Sequence, residues 1–145
     1  MIRRATAADA AAVADVWLLS RKASVPAIPA PVHDDADVRR YFAHVVIPER
    51  ETWVVDLDGE VVALLALEDG WVDHLYVHPD HVGHGLGSEL LELAKRRRPD
   101  GLDLWTFQSN AGARRFYERH GFTAEATTDG DNEEGDPDVH YRWSV

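Results

Sequence analysis

The turn Gly83-His84-Gly85-Leu86-Gly87 follows a strand-like run, opens a helix-like one, and is where this chain is best equipped for chemistry. Glycines let backbone amides converge on an anion, and a helix N-terminus adds the positive end of its dipole, so the pattern has the form of a phosphate site. A turn of this composition can also be no more than a tight reversal. Two familiar phosphate loops are excluded. No Gly-Lys-Ser or Gly-Lys-Thr follows, as a nucleoside-triphosphate loop requires. The dinucleotide fingerprint needs glycine where Ser88 stands, and no second parallel βαβ half follows.

Histidines 74, 78, 81 and 84 invite a metal reading. They run from a strand into a turn, lack the spacing that puts two ligands on one helix face, and have no cysteine beside them, so no metal site is expected. The acidic run Asp129–Asp136 fails as a calcium loop, because Glu134 occupies the position that needs glycine and no glutamate closes it. It reads as a solvated loop. The basic run Lys95–Arg98 ends a helix, where positive charge opposes the negative end of the dipole, or it meets a ligand phosphate.

The elements that position these residues follow from periodicity. Ile2–Arg4 reads as an edge strand, and Thr6 with Asp9 forms a capping box for a helix over Ala7–Lys22. Prolines 26, 29 and 31 make Ser24–His33 a loop. Asp34 caps a second helix, which Pro48 stops. Thr52–Leu57 and Glu60–Leu67 form a hairpin about Asp58-Gly59. A strand over Trp71–His78 leads to the glycine turn and a helix with Leu86, Leu90, Leu91 and Ala94 on one side. After a strand at Leu102–Phe107, Asn110 opens a helix that Gly121 closes, and Phe122–Thr127 and Val139–Val145 end the chain as paired strands. This order predicts one α/β (α+β) domain over residues 1–145. Its single mixed, largely antiparallel sheet would have six to seven strands flanked by about four helices.

The segment from Leu75 through Gly83-His84-Gly85-Leu86-Gly87-Ser88 to Leu91 resembles the acetyl-CoA signature of the GNAT N-acetyltransferases. The later run Asn110–Phe122, with Tyr117, Gly121 and Phe122, is similar to that family's second motif. Val82 departs from the pattern, since the family usually carries glutamine or arginine there. The resemblance implies acetyl-CoA as cosubstrate, its pyrophosphate on the amides of Val82, Gly83, His84, Gly85, Leu86, Gly87 and Ser88. It further implies that the strand at Leu75, Tyr76 and Val77 splays from its neighbour to receive the pantetheine arm, with Asn110 and Phe116 alongside.

By the same resemblance Tyr117 is the general acid for the leaving thiolate, and a phenol's ordinary pKa of about 10 suits a thiol leaving group. An amine acceptor is mostly protonated at neutral pH, so a base is needed. Asp73 is the first candidate and His74 the rival, on opposite faces by strand alternation, with a water chain as a third route. The amide of Tyr76 or Val77 would supply an oxyanion donor. Trp17, Arg21, His33, Trp53 and Trp105 are candidate walls of the acceptor site.

Composition narrows the partners. Hydrophobic residues make up 45% and charged residues 28% of 145 residues, a globular balance. A net charge of −11 argues against nucleic acid as a partner and would attract a cationic small-molecule or peptide amine. No apolar run would span a membrane, no signal peptide is evident, and cysteine is absent, which together suggest a cytoplasmic enzyme. Exposed edge strands could pair two copies into a homodimer. Competing readings are a non-catalytic acyl-CoA sensor and an acyltransferase with another acyl donor or acceptor.

Overall fold

The computed structural model describes residues 1–25 and 28–145. Of the proline loop, Pro26 lies outside the described residues.

Sheet formation starts from the hairpin. Asp58 and Gly59 both take positive φ (54° and 88°), the turn that matches the twist of strands β2 (Glu51–Leu57) and β3 (Glu60–Glu68). Strand β1 (Ile2–Arg4) adds to β2 and β4 (Trp71–Val77) adds to β3, both antiparallel. The remaining strands are β5 (Leu102–Phe107), β6 (Thr123–Thr127) and β7 (Asp138–Trp143). They complete a seven-stranded sheet in the order β1-β2-β3-β4-β5-β7-β6. Only β4 and β5 run parallel, so the sheet is mixed and largely antiparallel, as expected.

Strand β3 is buried from Val61 to Leu67, which places it at the centre of two cores. Val62, Ala63, Leu65 and Leu67 pack with Leu90, Leu91 and Ala94 of helix α3 (Leu86–Arg97). Val61, Leu64 and Ala66 face the other way, onto Val13, Val16, Val38 and Phe42. Those residues come from α1 (Ala10–Ala23) and from α2 (Asp35–Tyr41) with the π turn Phe42–Val46 that continues it. Helix α4 (Ala111–Arg119) lies against the first core through Phe116 and Tyr117.

The caps are local and obey the sequence. Asp9 accepts the Thr6 amide at 2.7 Å, and Asp34 accepts the Asp37 amide at 2.8 Å. Gly121 takes φ +86° after α4. One boundary differs from expectation. Helical structure persists past Pro48 to Glu49, and the chain turns extended only at Arg50 (φ −111°, ψ 154°). The π turn lets the Ile47 amide reach back to the Phe42 carbonyl, so the helix changes pitch just before the residue that has no amide to give.

Three of the four residues of the basic run are absorbed by structure. Arg97 and Arg98 both bind Glu51, at 2.6 and 3.1 Å, and Lys95 donates to the His120 carbonyl at 2.5 Å.

Candidate functional site

Strands β4 and β5 share a single pairing, Trp71 with Asp103, and beyond it they part. The gap is therefore lined on one side by β4 main chain that pairs only with β3. His78 donates its amide to the Val62 carbonyl at 2.8 Å. Alternation along an extended chain then turns the amide of Val77 the other way, into the gap.

The glycine turn closes one end of this gap. After a short helical turn at Pro79–His81, Gly83 and Gly85 take φ of +83° and +81°, and Gly85 is the N-cap of α3. A Cβ on either glycine would meet no atom within 4 Å, so the requirement is for the left-handed backbone and not for room. Gly87 differs: a Cβ there would lie 3.4 Å from the Phe116 ring, in contact range of α4. The first intrahelical bond of α3 runs from the Glu89 amide to the Gly85 carbonyl at 3.0 Å, which leaves the preceding amides pointing outward.

A cleft of about 640 Å³ runs along this surface. Asp73, Leu75, Tyr76, Val77, Val82, Gly83, Gly85, Leu86, Gly87, Ser88, Asn110, Phe116 and Tyr117 all line it. Among the residues expected at the site, His84 alone is outside this lining; it sits exposed in the turn. Asn110 has a second task, since its Oδ1 accepts the Ala113 amide at 3.2 Å and so starts α4. Tyr117 packs among Phe116, Phe122 and Tyr141, and burial pushes its phenol well above the ordinary tyrosine value. It therefore keeps its proton at neutral pH, as a weaker acid than an ordinary phenol.

A second cleft, of about 780 Å³, opens on the α1–α2 face of the sheet. The two clefts share Arg21, Asp73, Tyr76, Trp105 and Thr106, so they meet at the mouth of the β4–β5 gap. Of the expected acceptor walls, Trp17, Arg21, His33 and Trp105 are here. Trp53 is not: it packs against the α3 core and donates to Glu51 at 2.9 Å.

Asp73 and His74 both line the second cleft, contrary to the alternation expected of a regular strand. Ala66 pairs with His74 and Leu67 with Val72, which leaves Asp73 as the extra residue of a bulge. A bulge breaks the period of two and lets neighbouring side chains share a side. Arg50 Nε donates to Asp73 Oδ2 at 3.2 Å, and His74 Nε2 lies 3.4 Å from the same oxygen. His74 Nε2 also faces the Tyr41 hydroxyl at 3.0 Å. Burial among Tyr41, Phe42 and Tyr76 holds His74 below its ordinary pKa despite the pull of Asp73.

Sequence reasoning missed two parts of this cleft. The acidic loop contributes Glu133 and Glu134 to its wall, and Glu133 contacts His33 across it. The Tyr76 side chain, cited above only for its main chain, sits at the junction against Trp17, with ring centroids 6.1 Å apart. No local pattern marks either contact, because each depends on segments far apart in sequence.

Comparison with known proteins bears on the family and the fold. Residues 48–124 match the family model described as "Acetyltransferase (GNAT) domain". An uncharacterized N-acetyltransferase of Archaeoglobus fulgidus is 31% identical over 97 residues, 56% of this chain and 66% of the relative, so the match spans just under two thirds of that protein. The Escherichia coli peptidyl-lysine N-acetyltransferase YiaC is 28% identical over 123 residues, covering 84% of this chain and 82% of the relative. Among solved structures, PaiA N-acetyltransferase from Thermoplasma acidophilum in complex with coenzyme A superposes with a TM-score of 0.78 at 16% identity. That alignment covers 100% of this chain and 98% of the other.

Proposed function

The chain belongs to the GNAT acetyltransferase family, and on that premise we propose that it transfers an acetyl group from acetyl-CoA to the amine of a small molecule or peptide. One observation carries the reading: the glycine-turn cleft and the second cleft join at Asp73 and Tyr76 beside the parted strands, where two substrates could meet.

The residues present fit acetyl-CoA. Gly83 and Gly85 leave open the space that side chains would fill, and the amides of Val82 to Ser88 would hold the pyrophosphate at the α3 N-terminus. Backbone contacts do not depend on the side chain at Val82, so its departure from the family pattern is compatible with binding. Leu75, Tyr76 and Val77 would lie along the pantetheine arm, with Asn110 and Phe116 on its other side. When bound, acetyl-CoA supplies an activated thioester.

The chain's own groups then divide the work. Asp73 takes a proton from the acceptor ammonium, directly or through water, at the bulge that aims it into the second cleft. The Val77 amide, turned into the gap, is the better placed of the two oxyanion donors considered, since strand alternation directs the Tyr76 amide toward β3. Tyr117 Oη would give its proton to the departing sulfur and regain one, through water, from the second proton that the acceptor nitrogen sheds as the amide forms. Two features of the comparisons support an amine acceptor: the family's name and a relative named for peptidyl-lysine.

The test is calorimetric titration with acetyl-CoA on wild type and Gly85→Glu. Binding by wild type, lost by about 100-fold or more in the variant, is expected. That variant combines a strained positive φ with an acidic side chain facing the phosphates. A folded wild type that takes up no acetyl-CoA would overturn the proposal.

A further inference from the structure

Three buried side-chain polar atoms have no hydrogen-bond partner among the described residues: Trp17 Nε1, Arg21 Nε and His74 Nδ1. All three residues line the second cleft. Buried polar groups in native proteins are nearly always satisfied, so a cluster of unpaired ones at a cavity wall points to a partner that arrives with a ligand.

Arg21 is the informative member. It is only 5% exposed, yet its one well-formed hydrogen bond among the described residues goes to the Pro29 carbonyl, 3.2 Å from Nη2. Arg3, Arg50, Arg97 and Arg142 each bind a carboxylate directly, at 2.6 to 2.9 Å. The Arg21 guanidinium lies instead beside aromatic rings, 4.9 Å from the Trp17 centroid and 5.7 Å from that of Phe107. Such rings stabilise the cation without consuming its N–H donors. The Tyr76 phenol lies within hydrogen-bonding reach of both the Arg21 and Trp17 side chains, although neither orphaned nitrogen finds it in good geometry. Around the same cleft stand Asp37, Asp73, Glu133, Glu134 and Asp138. One buried cation with free donors, set in an otherwise acidic wall, is the complement of a zwitterion.

We propose that Arg21 receives the carboxylate of the acceptor, which makes the substrate a carboxylate-bearing amine of the amino-acid type. This rests on the reading of the second cleft as the acceptor site. Carboxylate binding would pair Arg21 Nε and a terminal nitrogen, with Trp17 Nε1 as a third donor, once the side chains that cover these buried atoms give way. The acceptor's ammonium is drawn to Asp73 and the acidic wall. A plain alkylamine or polyamine would leave Arg21 unpaired and set a second positive charge beside it.

Matched acceptors decide the matter. Free amino acids, their carboxamides and the corresponding decarboxylated amines are assayed by thiol release at saturating acetyl-CoA with wild type, Arg21→Gln and Arg21→Lys. Melting curves check that each variant folds. Wild type is expected to favour acid over amide by about 10- to 100-fold in kcat/KM, and Arg21→Gln to reduce that ratio to about one. Arg21→Lys should keep part of it, since the charge remains while the fork is lost. A residue that only pins the Pro29 loop would lower the melting temperature and leave the ratio intact, which would overturn the assignment. So would equal use of acids and amides by wild type. Succinyl-CoA supplies the remaining arm: an Arg21-dependent preference for it over acetyl-CoA, with acceptors used indifferently, would move the carboxylate to the acyl group and also overturn the proposal. Failure of the family-based reading looks different, because wild type would then not bind acetyl-CoA. The same acid and amide pairs titrated calorimetrically without cofactor would still test Arg21, by binding that does or does not depend on it.

Discussion

The two clefts that meet at Tyr76 are built in different ways. The glycine-turn cleft is made mostly of main chain: parted strands, a left-handed turn and the outward amides of α3. Its lining comes largely from two continuous stretches, residues 72–88 and 104–119. The second cleft is made of side chains from α1, the 31–42 segment, the β4 bulge, β5 and the acidic loop. A main-chain site needs particular backbone angles, and only certain residues give them, so it leaves a local mark in the sequence. A side-chain site needs only that distant residues meet. It can be rebuilt for a new ligand without disturbing the turn.

The largest effect that would test this division is at Tyr117. If it acts on the leaving group, Tyr117→Phe removes only the proton and leaves the ring packed against Phe116 and Phe122. The expected result is a fall in kcat of about 10²- to 10⁴-fold with acetyl-CoA affinity within about twofold of wild type. Steady-state thiol release beside calorimetry separates the two quantities. An unchanged kcat would assign proton return to water or to Tyr76, the other buried phenol on the gap.

The same contrast explains what the sequence disclosed. The hairpin, the caps at Asp9, Asp34 and Asn110, and the succession of strands and helices along the chain follow from short-range rules, and the structure agrees with them. Pro48 misled because a π turn allowed the helix to run past it. Asp73 and His74 misled because a bulge is set by pairing with β3 and is invisible in β4 alone. Trp53 was a reasonable wall by type, but its strand position faces α3. Glu133 and Glu134 looked like solvated loop, since nothing near them announces the approach of His33, 100 residues earlier in the chain. Backbone-defined parts were legible, and parts defined by tertiary contact were not.

A middle-sized effect should be confined to the second cleft. His74 is held neutral by burial, with a folded pKa below its unfolded value near 6.5. A depressed pKa means the unfolded chain binds the proton more readily. The stabilising contribution is therefore complete above about pH 6.5 and drains away as pH falls below it. Urea unfolding at pH 7.5 and pH 5 should show wild type losing on the order of 1–2 kcal/mol more than His74→Phe. Phenylalanine keeps the contacts with Tyr41, Phe42 and Tyr76 but has nothing to protonate. Equal losses would mean that the cleft admits a charged His74, paired to Asp73 at 3.4 Å, and the histidine would then rejoin the candidates for base.

The smallest effect asks whether the glycine-turn cleft is as purely main-chain as it looks. Asn110 lines that cleft, yet its Oδ1 is engaged in starting α4. Asn110→Ala should lower stability by about 1 kcal/mol, the usual cost of losing a cap, and weaken acetyl-CoA binding as the helix start frays. Asn110→Ser restores a capping oxygen but carries no amide group. If calorimetry finds that serine recovers affinity together with stability, Asn110 serves the cofactor by beginning the helix that carries Tyr117, and backbone placement suffices. If stability returns and affinity does not, the amide itself touches the ligand, and the cofactor side too depends on a side chain.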